Sequence, residues 1–323
     1  MQIKANEANA LMADTWGQRG IQNSDAGVQE RLSKIGSRVL QGYHVAIASE
    51  DLRAIAPKMN EIDEELRGFA YEGVGMGLAQ RDLLTPSSEN RMATFVAGDG
   101  AAYHNWVYVG LGLMLARAGL PIKPHLEKLN FARSWLAVDG YGYYQGMFHW
   151  QDSLDNQVIS EQISGYARSV FDQGLGRSIW FIGGGDVNHI ARTIDSFAPD
   201  RRQDLWGGVG YACAYAGGAE RATIEALTNT AGVYRFQLAQ GTAYAAKSRQ
   251  SLGNYSVYTE LACQVLWEMG VDAVVESLAA NGEALESQTW QHYRARVFHP
   301  VRTTLKFSEM LSQETIAQQG QSR

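Results

Sequence analysis

Six polar side chains stand inside segments that are otherwise apolar or glycine-rich: Glu72, His104, Asp139, Asp172, Arg177 and Glu260. A charged group among apolar neighbours is costly unless it is paired. Each therefore needs either a partner or a task. The chemistry that these residue types support is proton transfer. Glu72 or Asp172 would serve as general acid or base, Arg177 would orient it, and Asp139 and His104 complete the set of candidate catalytic residues. A purely structural reading stands beside this one. Asp172 and Arg177 would pair with each other or with neighbouring segments and fix their register, and His104, in GAAYHNWVYVG, would be a satisfied core histidine.

Aromatic residues accompany these positions. Tyr71, Trp106, Tyr143, Trp180 and Trp206 are the candidate substrate-binding residues. An aromatic-lined cavity with a few buried acids suits an apolar or unsaturated molecule, and ring faces stabilise developing positive charge. The alternative for the same residues is plain core packing.

Several function classes lack support. The sequence has no HExxH, Walker loop, GxSxG, EF-hand or Asp-rich diphosphate motif, so neither a metal nor another cofactor is expected. The two cysteines, Cys213 and Cys263, have no CxxC partner and read as buried, reduced thiols. A net charge of −6 argues against a nucleic-acid partner. The one basic stretch, HYRARVFHPVRTTLKF, with Arg294, Arg296, Arg302 and Lys306, reads as a solvated face. The first residues, MQIKANEANALMADTWGQRG, lack a signal-peptide pattern, and no uncharged stretch reaches the length of a membrane span. A cytoplasmic location is the expectation.

The elements that must hold these side chains show in the glycines. YEGVG, YVGLG, YQGMF, DQGLG, WGGVG and AQGTA centre on Gly73, Gly110, Gly146, Gly174, Gly208 and Gly241, and recur at about 34-residue intervals. That length fits a helical hairpin. Between the motifs, DVNHIARTIDSFAPD, KPHLEKLNFARSWLAVDG, YTELACQVLWEMG and VDAVVESLAANG carry apolar residues at helical spacing. Pro199 would stop the first of these, and Gly140 would lie beyond the end of the second. Glycine inside a helix costs about 1 kcal/mol relative to alanine. A helix that accepts several must gain from close approach of a neighbour. FIGGGDV and GVGMG also look like phosphate-binding glycines, and WVYV (106–109) like a strand, but a dinucleotide fold does not use six such loops.

The expected fold is therefore all-α: tandem helical-hairpin repeats, either TPR-like or closed into an α/α ring, with helical N- and C-terminal caps. Residues 1–64 would form the N-terminal cap and 65–265 the repeat region. Residues 266–323 would form the C-terminal cap and a polar tail, all within one globular domain. TPSSENR (85–91) reads as a loop between hairpins.

FAYEGVGMGLA (69–79), YHNWVYVGLG (103–112), DGYGYYQGMF (139–148), SGYARSVFDQGLGRSIWF (164–181), DLWGGVGYACAYAGG (204–218) and LAQGTAYAAKSR (238–249) resemble the UnbL-like proteins, a bacterial family of unassigned function. Members of that family are encoded beside enediyne polyketide synthases. The resemblance covers about residues 65 to 265 and implies a role in specialised-metabolite biosynthesis. It implies no particular reaction. The expected function is an accessory or tailoring protein that binds an apolar, polyene-like intermediate. Two alternatives remain: a non-catalytic helical-repeat scaffold for a partner biosynthetic protein, and a terpene-cyclase-like enzyme without the usual metal motif. The oligomeric state does not follow from the sequence.

Overall fold

The computed structural model describes residues 26–85, 90–129 and 131–279. Outside them fall the first 25 residues, part of the TPSSENR loop, Asn281-Gly282, the basic stretch around Arg294–Lys306 and the polar tail. Among the described residues every regular element is a helix and none is a strand. The α-helices are α1 (Ala26–Ala48), α2 (Ile55–Asn60), α3 (Glu64–Leu84), α4 (Arg91–Ala97), α5 (His104–Arg117), α6 (Lys123–Leu126), α7 (Phe131–Phe148), α8 (Tyr166–Gly183), α9 (Val187–Asp195), α10 (Pro199–Ala216), α11 (Arg221–Ala231), α12 (Arg235–Leu252), α13 (Val257–Trp267) and α14 (Val271–Ala279). WVYV lies within α5 and is not a strand. None of the described helices is long and apolar enough to cross a membrane.

The long helices α1, α3, α5, α7, α8, α10 and α12 pack side by side in chain order. Glycine makes this possible. One residue turns an α-helix by about 100°, so positions i and i+2 lie about 200° apart, on opposite sides. A helix held between two neighbours at close range needs a small residue on each side, which is the pattern G-x-G. In α5, a methyl group at Gly110 would overlap the Glu72 carbonyl oxygen of α3, and one at Gly112 the Ala137 carbonyl oxygen of α7. In α8, Gly174 faces the Asp139 carbonyl of α7, while Gly176 faces the Leu205 carbonyl of α10. In α10, Gly208 faces Gln173 of α8 and Gly210 faces Leu238 of α12. Each glycine Cα–H thus meets a neighbouring carbonyl, a weak hydrogen bond that recurs at close helix crossings.

This geometry corrects the glycine register in α7. The motif YQGMF points to Gly146 as the repeat glycine there, but Gly146 faces the side chain of Ser178. The pair that separates α7 from its two neighbours is Gly140, against Val109 of α5, and Gly142, against Phe171 of α8. Gly140 therefore lies inside the helix and not past its end. A fixed period is not established. The long helices begin at uneven intervals, and α7 is followed by a π-helical turn, Gln151–Asp155, where other hairpins have a second α-helix. The shorter α9, α11 and α13 pack on one another as an outer layer.

Local signals set the helix ends. The Asp186 carboxylate accepts the His189 backbone N–H at 2.9 Å and caps α9. Gly184 closes α8 with φ 54, a left-handed conformation that glycine adopts without strain. Pro199 is the first residue of α10, where its missing N–H costs nothing, so it opens one helix and does not merely stop the one before.

The row closes on itself. Arg249, at the end of α12 and fully buried, donates to the backbone oxygens of Glu65 in α3 (2.6 Å) and Tyr215 in α10 (2.5 Å). Its guanidinium also lies 4.0 Å from the Tyr215 ring centroid. Arg31 of α1 donates to Ala216 O and pairs with Glu65, while Ser256 donates to the Glu65 carboxylate at 2.6 Å. The start of α3 is thereby tied to α1 and α12, and α1 to the end of α10. Between them lies one continuous core that includes the fully buried Trp180 and Trp206. An aromatic of that size removes roughly 150–250 Å² from water, about 4–6 kcal/mol at ~25 cal/mol per Å². Cys213 and Cys263 are buried free thiols, and burial raises both to about 12.

Candidate functional site

Three of the polar residues meet where α3, α7 and α8 converge. Arg177 of α8 donates through Nη2 to Glu72 Oε1 of α3 at 3.2 Å and through Nη1 to Asp139 Oδ2 of α7. Glu72 and Asp139 are 67 positions apart in the chain and share one guanidinium. Arg177 also lies 4.9 Å from the Tyr143 ring of α7 and 5.6 Å from the Tyr211 ring of α10. The Tyr211 hydroxyl donates to Ser248 Oγ of α12 at 3.4 Å.

The electrostatics follow from two acids and one base in a buried place. Burial pushes the Glu72 carboxyl up to about 7, against the pull of Arg177, and neighbouring Asp139 adds to the rise. Burial raises Asp139 as well, again opposed by Arg177. Burial works against the charge on Arg177, but Asp139 and Glu72 outweigh it and hold the guanidinium protonated. Tyr143 and Tyr211 are raised mainly by burial, and both sense both carboxylates. The Glu72 side chain is 5% exposed and that of Asp139 is 19%, so Asp139 is the solvent-facing acid.

The other expected site residues fall elsewhere. Asp172 does not meet Arg177. It takes two hydrogen bonds from Arg201 of α10, at 3.0 and 2.6 Å, an ion pair between adjacent helices. His104 is exposed at the start of α5, its Nδ1 2.8 Å from the Ala101 oxygen, so it is neither a core histidine nor part of the centre. Glu260 accepts from Gln264 and from the Val271 backbone N–H, which caps α14. Tyr71 is buried and stacks on Tyr103 at 4.0 Å, Trp106 packs against Tyr103 and Tyr215, and Trp180 and Trp206 are core. Of the expected aromatics, only Tyr143 touches the charged centre directly. Sequence reasoning missed Tyr211 and Ser248. The signal was present in the spacing, since Tyr211 directly follows the second glycine of Gly208-x-Gly210.

A surface cleft of about 860 Å³ lies apart from this centre, lined by Glu220, Arg221, Tyr255, Tyr258 and Glu260 among others. Among the described residues no group of His, Cys, Asp and Glu is arranged to hold a metal ion.

A family model matches residues 8–301. The chain belongs to the family described as Protein of unknown function (DUF1702). Comparison with curated proteins and with solved structures returned no match. Membership of DUF1702 brings no assigned activity, so the functional reading rests on the geometry of the centre.

Proposed function

We propose that this DUF1702 protein acts in specialised-metabolite biosynthesis, of the enediyne or a related polyketide kind. In this reading it binds an apolar, polyene-like intermediate beside Arg177, and Glu72 exchanges a proton with that intermediate. The observation that carries the reading is Glu72, a buried carboxyl raised to about 7 next to a second acid and a shared arginine. A group poised there works as base and as acid at neutral pH. The half-buried Tyr143 and Tyr211 supply flat apolar contact next to the charged groups. The biosynthetic context rests on the resemblance of the glycine motifs to the UnbL-like proteins.

The test is the product profile of a producing host carrying Glu72→Gln, with protein level and melting temperature checked alongside. Loss of conversion by about 10²–10⁴-fold, the usual contribution of a positioned acid or base, is expected. An unchanged profile from a folded variant refutes the acid–base role.

The scaffold reading draws on the surface cleft, whose rim includes Tyr255 at 51% and Val257 at 77% exposure. It is favoured if Glu72→Gln leaves the product unchanged while the protein co-purifies with a biosynthetic partner.

A further inference from the structure

We propose that the surface cleft is the docking place of the chain's own basic segment, residues 292–307, HYRARVFHPVRTTLKF, and that this segment straps the closure of the helical row. The proposal is independent of the role given to Glu72. The cleft sits on the closure. Gly27 of α1, Gly218 and Ala219 after α10, Ser256 between α12 and α13, and Tyr258 and Leu261 of α13 all line it. Ser256 also donates to Glu65, and the Arg31 guanidinium lies 4.4 Å from the Tyr258 ring centroid. An occupant would therefore touch the same residues that join α1 and α3 to the later helices. Tyr255 and Val257 leave apolar surface exposed at the rim, the kind of patch that marks a contact site.

Charge chooses the occupant. Among the described lining residues two acids, Glu220 and Glu260, stand against one base, Arg221. Arg221 is itself 3.8 Å from Glu225, and Asp272 stands behind Tyr255, whose hydroxyl donates to it at 2.8 Å. The cleft is apolar with an acidic rim. Residues 292–307 are the complement. They carry Arg294, Arg296, Arg302 and Lys306 among Tyr293, Val297, Phe298, Val301, Leu305 and Phe307, with no acid. The first 25 residues, which lead towards Gly27, are the rival. They set Glu7, Asp14 and Asp25 against Lys4 and Arg19 and bring no excess of positive charge.

The segment also reaches. α14 begins at the cleft, because the Glu260 carboxylate accepts the Val271 backbone N–H at 3.0 Å. Its nine residues carry the chain about 13 Å away at 1.5 Å per residue. Residues 280–291, fully extended, span up to about 40 Å, more than the return requires. A tether of this length keeps the segment near the cleft at a roughly millimolar effective concentration, so modest contacts are enough to hold it there. A partner protein bound at this cleft would first have to displace the strap.

The test is crosslinking in the full chain. Val257→Cys, at an exposed rim position, is combined with Phe298→Cys and treated with a short bismaleimide. The native Cys213 and Cys263 are buried, with thiols raised to about 12, and react slowly in the folded chain. The crosslinked peptide is identified by mass. The same chain in concentrated urea gives the rate that the tether alone allows. Crosslinking within one folded chain is expected to be at least about tenfold faster than that, because docking concentrates the two thiols further. Glu220→Lys, also on the exposed rim, should slow it by about two- to fivefold, the worth of an exposed ion pair, as should high salt. A folded-chain rate no greater than in urea overturns the proposal. So does a faster reaction of the pair Val257→Cys and Trp16→Cys, which gives the cleft to the N-terminal residues, or a crosslink between two chains, which gives it to a second copy. Indifference to both Glu220→Lys and salt removes the charge match and overturns it as well. Val301→Cys replaces Phe298→Cys if the latter lowers the melting temperature.

Discussion

Two buried ionic centres lie on the two sides of α8, and they differ in stoichiometry. Arg201 and Asp172 match one base with one acid through two parallel hydrogen bonds, with the Arg201 guanidinium 4.6 Å from the Phe197 ring. Their charges cancel and their geometry is complete. Arg177 serves two acids, Glu72 and Asp139, and the second is partly open to solvent. The first arrangement holds α10 against α8 and has nothing left to give. The second keeps a carboxyl near its midpoint of ionisation at neutral pH. The same residue types in the same glycine-rich helices thus yield a structural pin in one place and a titratable site in the other, and the count of partners decides which.

The largest expected effect breaks the pin. Arg201→Ala leaves the Asp172 charge buried without its partner and should cost about 3–5 kcal/mol, measured by urea unfolding. The pH behaviour of the other centre should survive in whatever fraction remains folded. A loss below about 1 kcal/mol would mean that the pair does not hold the helices together.

Next is the pH dependence of stability. Folded Glu72 holds its proton more tightly than the unfolded chain does. Its protonated form therefore stabilises the fold fully below about pH 4.5, and that contribution is lost as pH rises through about 7. The change over this window is about 3 kcal/mol. Glu72→Gln should remove this component of the slope, and Arg201→Ala should not. Denaturant midpoints at several pH values distinguish the two.

The smallest effect is at His104. Exposed and outside both centres, it should tolerate His104→Ala within about 0.5 kcal/mol and with no change in ligand binding. A larger change would extend the functional region to the start of α5.

Much of the fold is legible before any coordinates. Repeated glycines within apolar stretches signal backbone-close packing, and the apolar residues at helical spacing between them point to an all-α chain. The exact glycine register in α7 is harder to read, because DGYGYYQG holds three glycines, Gly140, Gly142 and Gly146, and only the neighbours on either side choose the pair that faces them. Glu72, Asp139 and Arg177 stand out as polar residues in apolar helices, so the members of the centre are readable. Their partners are not. Whether Arg177 meets Asp172, five positions away in the same helix, or acids on α3 and α7 depends on how the helices cross. The aromatics are the least legible part. Burial drives Tyr71, Trp180 and Trp206 into the core by the same force that would line a cavity, and composition does not separate the two outcomes.

The Arg249 clasp carries a consequence for how the molecule comes apart. In an open array each repeat touches only its neighbours, and the terminal repeat can peel away while the rest persists. Here the last long helix is tied to the first turn of α3, so neither end can fray without breaking contacts made by the other. Loss of one helix exposes surface on both sides of the closure, which favours unfolding of the joined helices together over their loss one by one.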